Sequence, residues 1–226
     1  MTANMSARLS LGKCGSERNK KVLSCLITVS LSAISLPYMY ANLGFTVEGF
    51  FHMVVTIHLW TLAGLDVAYR LLPNRVLIST LGFILPTKFY RSPFNHWDLV
   101  SLLCNCNPIL RGNTGQVLQW KGANAVWVSL IDGILGALLG FGIFYVSALM
   151  VPGGIGGGDI KLAWVIGFYL GVYNVLPALE VACLLSCICW IPLVLLGRMT
   201  RKDKIPFGFF MSMGTVLLLL FNLSNL

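Results

Sequence analysis

Residues 125–151 read AVWVSLIDGILGALLGFGIFYVSALMV, an apolar run interrupted by a single acid, Asp132. A helix needs about 20 apolar residues to cross the hydrocarbon of a bilayer, and this stretch supplies more than that. Comparable runs flank it: Val22 to about Tyr40, Phe45 to Leu65 and Val76 to about Tyr90 before it, then Ile160 to about Leu176, Ala178 to Leu196 and Ile205 to about Phe221 after it. Of 226 residues, 57% are hydrophobic and 11% charged, and the mean hydropathy is +0.80. Such a chain does not fit a water-soluble surface. Six or seven spans consume about 120 to 140 positions, which leaves no sizeable soluble domain. The expected fold is therefore all-α, a polytopic bundle of about seven transmembrane helices, or six if the first is a cleaved signal. A basic segment before an apolar run fits either description.

The basic residues carry the topology. Arg8, Lys13, Arg18, Lys20 and Lys21 precede the first run, and Arg198, Arg201, Lys202 and Lys204 fill the loop before the last. Alternating seven spans from an inside N-terminus puts these on the inner side with Arg70, Arg75 and Lys161, twelve in all. Lys88, Arg91, Arg111 and Lys121 fall outside. That asymmetry is the positive-inside pattern. It predicts residues 1–21 as a disordered cytoplasmic tail, 22–226 as a single membrane domain, and 91–124 as an extracytoplasmic loop. No aromatic-interleaved basic segment accompanies the net charge of +8, so a nucleic-acid partner is not expected. The 198–204 loop is expected to meet anionic lipid.

None of the seven cysteines forms a CxxC pair, so neither a zinc ribbon nor a disulfide framework is expected. No metal or cofactor is expected either. Cys183 and Cys187, four apart, read as small buried hydrophobes. His52 and His58 read as packed or interhelical bonding residues, and Trp60, Trp97, Trp120, Trp127 and Tyr90 as interface anchors. Gly133, Gly136, Gly140 and Gly142 give the 125–151 run small faces for close packing.

Charge at or within a span is expensive and marks function by default. Glu48 and Glu180 lie near outer ends of spans, where hydration makes a carboxylate ordinary. Asp132 either bonds a neighbouring helix or lines a polar cavity. Asp66 and Asp159 differ, because both sit in dense polar punctuation on the same predicted face. Two carboxylates brought close in a poorly hydrated site share a proton. The ionised partner then takes a proton from water while the protonated one polarises a scissile carbonyl, which is the requirement for an aspartic protease. Gly156, Gly157 and Gly158 allow unusual torsions and leave room for a substrate strand. Asp159 stands at a helix N-terminus, which favours its anion. Asp66 stands near a helix C-terminus, opposed by Arg70 one turn later, and is expected to hold the shared proton more often.

The two stretches DVAYRLLPNRVL (Asp66 to Leu77) and GGIGGGDIKLAWVIGFYLG (Gly153 to Gly171) together resemble the type IV prepilin peptidases, the GxGD aspartic proteases of bacteria. Asp66, Arg70, Pro73 and Asn74 match the first motif of that family, and Gly156, Gly158, Asp159 and Lys161 the second. The likeness covers roughly Leu59 to Gly214. It implies a peptidase of the bacterial inner membrane that removes the basic leader of prepilins or pseudopilins at the cytoplasmic face, with Asp66 and Asp159 as the catalytic pair. Lys161 is expected to anchor the site to the interface. KIPFGFFMSMG (Lys204 to Gly214) is similar to the family's last-span element, with Phe209 where many members have proline, which bears on the helix entry.

Bifunctional members of the family carry a cytoplasmic cysteine tetrad and also N-methylate the product. No CxxC spacing occurs here and no soluble insertion precedes Asp66, so a peptidase without methyltransferase is expected, similar to the short forms of tight-adherence pilus systems. Two rival functions remain, a small ion-coupled transporter and an inactive scaffold of pilus assembly.

Overall fold

The computed structural model describes residues 2–70, 72–89, 123–151, 154–197 and 206–224. The 91–122 part of the expected loop, the 198–204 basic segment, Cys104, Cys106, Trp97, Trp120 and Tyr90 lie outside the described residues. Among the described residues there are six helices and no strand: α1 (Thr2–Leu43), α2 (Val47–Tyr69), α3 (Asn74–Phe89), α4 (Ala123–Met150), α5 (Gly157–Leu195) and α6 (Phe207–Ser224). Helix α1 begins at Thr2, so the basic segment before Val22 continues the helix and is not coil. The apolar parts of α1, α2, α4 and α5 are long enough to cross a membrane, while α6 contributes the shorter apolar stretch Phe207–Phe221. The chain is a helical membrane protein.

Local chemistry sets the helix ends. The Thr46 hydroxyl caps α2 by accepting the Gly49 N–H at 3.0 Å. Arg70 closes α2 in the left-handed region, φ 53°, with its N–H donating to the Asp66 carbonyl at 2.8 Å. Pro73 cannot continue that helix, and its carbonyl instead accepts the Val76 N–H at 3.1 Å as α3 begins. Helix α1 docks on α2 where Gly64 comes against the Ser24 backbone and Trp60 Nε1 donates to the Ser35 hydroxyl at 2.9 Å.

Helix α5 decides the architecture. As one straight rod its 39 residues would measure about 58 Å, nearly twice the hydrocarbon thickness. It does not run straight. Gly171 has φ 79° and ψ 178°, a region essentially closed to residues with a side chain. A Cβ placed on Gly140 of α4 would lie 2.6 Å from the Ala163 carbonyl oxygen and 3.5 Å from a Val175 methyl. Residues twelve apart on a straight helix are separated by about 18 Å, so the chain folds back at Gly171 and the 172–195 limb returns along the 157–170 limb. The expected break near Leu176–Ala178 is thus displaced to Gly171, where the torsion demands glycine, and Pro177 sits inside the second limb.

Two charges, Lys88 buried and Asp132 partly buried, hold this reversal. Lys88, 5% exposed, donates from Nζ to the Tyr169 carbonyl at 3.1 Å, at the C-terminal end of the first limb. Asp132 Oδ1 accepts the Val172 N–H at 3.2 Å, at the N-terminal end of the second. Each charge faces the helix end of opposite sign, and the two lie within electrostatic reach of each other. Of the two alternatives for Asp132, bonding a neighbouring helix is the one observed. Lys88, counted among the outer basic residues, is in fact enclosed. Close by, His52 Nδ1 and the Tyr169 hydroxyl share a 2.6 Å hydrogen bond, so His52 is an interhelical bonding residue. His58 hydrogen-bonds the Val54 carbonyl at 2.9 Å.

Three of the four α4 glycines serve as packing faces. Gly136 lies directly on the Gly167 carbonyl and the Gly171 backbone, and Gly133 and Gly140 meet α5 on either side, whereas Gly142 has open space beside it. Cys183 and Cys187, expected to be buried, are exposed on the second limb of α5, an apolar surface that also carries Leu184 and Ile188. The α4 contacts yield a paired expectation. Gly136→Val forces two backbones apart and should cost about 1 to 3 kcal/mol or more. Gly142→Val should stay within about 0.5 kcal/mol. Thermal unfolding of the detergent-solubilised variants measures both, and equal melting temperatures would contradict the packing described.

Candidate active site

Asp66 lies one turn before the end of α2 and is 5% exposed. Its Oδ2 accepts the Phe209 N–H at 3.1 Å, a free donor in the first turn of α6. Gly208 makes this approach possible, since a Cβ there would lie 3.0 Å from the same oxygen. The helix entry on which Phe209 was expected to bear is regular, and α6 starts at Phe207 directly after Pro206. The departure bears on the site instead. Proline at position 209 would have no N–H to give.

Asp159 occupies the first turn of α5, whose N-cap Gly156 is extended at φ −74° and ψ 140°. The Asp159 N–H donates to the Gly156 carbonyl at 3.0 Å, and its side chain turns back toward the Gly156 backbone, as an acid in the third helical position does in a capping box. The two carboxylates lie within electrostatic reach of each other. Each is therefore met by the N-terminus of a helix, α6 at Asp66 and α5 at Asp159. The expected assignment of the shared proton weighed only α2 and α5. It loses its basis once a third helix end is present.

The other expected site residues divide. Lys161 Nζ donates to Asn74 Oδ1 at 3.1 Å, joining the second motif to the first across the start of α3. Arg70 is exposed at the α2 end and acts on Asp66 through its charge. Pro73 shapes the turn. Gly158 leaves room for Leu72, because a Cβ would come 3.0 Å from the Leu72 Cβ, and Gly208 leaves room for the Leu72 Cδ1 at 3.2 Å. Leu72 thus wedges between the starts of α5 and α6, beside both acids. Leu72, Gly208 and the Phe209 N–H were missed by sequence reasoning. Pro206-Phe207-Gly208 ahead of an apolar run was the available signal for the last two, and nothing marked Leu72. Among the described residues, no group of three or more His, Cys, Asp or Glu side chains could hold a metal ion.

The arrangement is a buried carboxylate, Asp66, and a partly buried one, Asp159, on different helices, bordered by apolar side chains and supplied with backbone donors, at the end of the bundle away from the Gly171 reversal. Such a pair can activate water without a metal.

Comparison with known proteins agrees with these motifs. Residues 109–219, which include Asp159, Lys161, Gly208 and Phe209, match the model of the type IV leader peptidase family. Over 178 residues the chain is 30% identical to the prepilin leader peptidase/N-methyltransferase of Bacillus subtilis (strain 168), covering 79% of this chain and 58% of that protein. The chain thus spans little more than half the length of this curated relative. No solved structure matches it. With both motifs present in order and in contact through Lys161 and Asn74, the chain belongs to the type IV leader peptidase family.

Proposed function

We propose that this protein is an aspartic endopeptidase of the bacterial inner membrane that removes leader peptides from prepilins or pseudopilins at the cytoplasmic face, with Asp66 and Asp159 as its catalytic pair. The observation that carries this reading is the convergence of two carboxylates from α2 and α5 within electrostatic reach, with backbone N–H groups at the starts of α5 and α6 directed at them. In the reaction, the ionised carboxylate removes a proton from a water molecule as its oxygen bonds to the scissile carbonyl carbon. The protonated carboxylate meanwhile gives its proton to the carbonyl oxygen. The resulting neutral diol collapses as the carbon–nitrogen bond breaks: one diol hydroxyl returns its proton to the ionised carboxylate while the departing nitrogen takes the proton held by the other. One water is consumed, and the pair is restored in its singly protonated state.

The expected consequences concern one co-expression experiment with a prepilin, read as the size of the pilin band. Asp66→Asn and Asp159→Asn should each abolish leader removal with the protein still present in the membrane. Gly208→Ala, which pushes a methyl against Asp66, should slow it by roughly tenfold to a hundredfold, the cost of an ångström-scale misplacement. Processing that survives both Asp substitutions would refute the assignment. Loss of function in Gly208→Ala alone would move the chemistry to α6. A transporter or a scaffold would give no processing by any form.

Two further elements of the reading have their own tests. The basic residues favour seven crossings with the N-terminus inside and residue 226 outside. Alkaline phosphatase fused after Leu226 should accordingly be active and green fluorescent protein fused there dark. The opposite pattern would place the acids on the other face. The absence of CxxC spacing in the sequence supports a peptidase without methyltransferase activity. Purified protein given cleaved pilin and radiolabelled S-adenosylmethionine should transfer no label, and methylated product would overturn that part.

A further inference from the structure

The 172–195 limb of α5 has two faces. Val175, Ala178, Ala182 and Ser186 are buried, with Val175 beside Gly140 of α4 and both alanines against Gly214 of α6. The opposite face carries Tyr173, Leu176, Glu180, Cys183 and Cys187, all exposed. The displaced break changes the standing of Glu180. On the sequence alone it lay near the hydrated end of a span. With the reversal at Gly171 it lies nine residues along the limb, about 13 Å from the turn, and fifteen residues, about 22 Å, before Leu195. A limb of about 36 Å is little longer than the hydrocarbon is thick, so its middle lies in lipid. A carboxyl group on an outer face at that depth is costly, and glutamate is shorter than the lysine and arginine chains that snorkel to water. Lys88 and Asp132 are supplied with partners by the fold. Glu180 has no hydrogen bond or ion pair among the described residues.

We propose that this face pairs with the same face of a second copy of the chain, Glu180 of each copy lying against Glu180 of the other. The pairing is independent of the peptidase reading. Spacing is the first reason. Positions 173, 176, 180, 183 and 187 advance by three and four in turn, the 3.5-residue seam that two helices share when they cross at about 20°. A single polar residue within such a seam fixes its register. Symmetry is the second reason. Two copies inserted the same way up and related by a two-fold axis along the membrane normal bring parallel helices together, and each seam position then meets itself. Chemistry is the third. Two carboxyl groups placed together in a poorly hydrated site share a proton and satisfy each other, whereas a lipid tail offers neither donor nor acceptor. Cys183 and Cys187 are small enough for the two backbones to come close on one side of that pair.

The test reads association of the full chain in lipid. Wild-type protein with one fluorophore on a C-terminal tag, reconstituted into phosphatidylethanolamine and phosphatidylglycerol vesicles, should bleach in two steps. Glu180→Leu should raise the dissociation constant of the dimer roughly tenfold or more. Glu180→Gln, which keeps a donor and an acceptor, should change it by no more than about threefold. Oxidation by copper phenanthroline in native membranes gives an independent readout. A chain whose other cysteines are replaced by serine should form a disulfide-linked dimer through Cys187, and one that keeps only Cys25, exposed on α1, should stay monomeric. Single-step bleaching of the wild type at every protein-to-lipid ratio would overturn the pairing and leave the carboxyl group to a different membrane protein. Dimerisation unchanged in Glu180→Leu would also overturn it, as would a Cys25 dimer in place of the Cys187 one, since either places the contact on another surface.

Discussion

The reversal of α5 at Gly171 is the constraint on which the remaining geometry depends. It is built from two charges that a membrane protein can bury only with partners. Lys88 answers the carbonyl end of one limb, Asp132 the N–H end of the other, and Gly171 supplies a torsion that leaves no room for a side chain between them. The glycines of α4 then let both limbs lie against one helix at backbone distance. Fourteen residues, 157–170, separate the start of α5 from this turn, about 21 Å of helix. Asp159 is thereby held at the far end of a short strut whose other end is fixed.

At that far end three helix termini meet. The last turn of α2 brings Asp66, the first turn of α5 brings Asp159, and the first turn of α6 brings a backbone donor. Glycine recurs where they touch because Gly158 must clear the Leu72 side chain, and Gly208 both that side chain and the Asp66 carboxylate. Leu72 fills the remaining space and contacts the positions of Gly158 and Gly208 together, so a single aliphatic residue sets the spacing between the starts of α5 and α6.

Much of this was legible in the residues. The apolar runs gave an all-helical membrane bundle, and the dense polar clusters around Asp66 and Asp159 singled out those two acids from the others. What could not be read was anything that depends on pairing across long separations. The fifth and sixth runs are nearly continuous in hydropathy, and Pro177 is the more conspicuous break, yet the turn falls at Gly171, where tertiary contacts with Asp132 select it. Lys88 read as a loop cation because its acceptor is a backbone carbonyl 81 residues later. The Lys161–Asn74 hydrogen bond spans 87 residues, and Phe209 reaches Asp66 across 143. Leu72 carries no local signal at all, since an aliphatic residue in a polar turn is ordinary until its neighbours are known.

The enclosure of Lys88 also orders the protein's biogenesis. Helix α3 is 16 residues long with Pro86 inside it, a weak candidate for leaving the translocon unaided with an ammonium group near its end. The carbonyl of Tyr169 that receives this ammonium emerges 81 residues afterwards, a delay of about 4 to 16 s at ordinary rates of synthesis. During that interval this hydrogen bond cannot form, and the contact of α3 with the first limb of α5 is completed only once that limb has arrived. The segment that follows Asp66 in the chain is thus completed late, so the nascent protein cannot assemble its carboxylate pair until most of its helices are already in the bilayer.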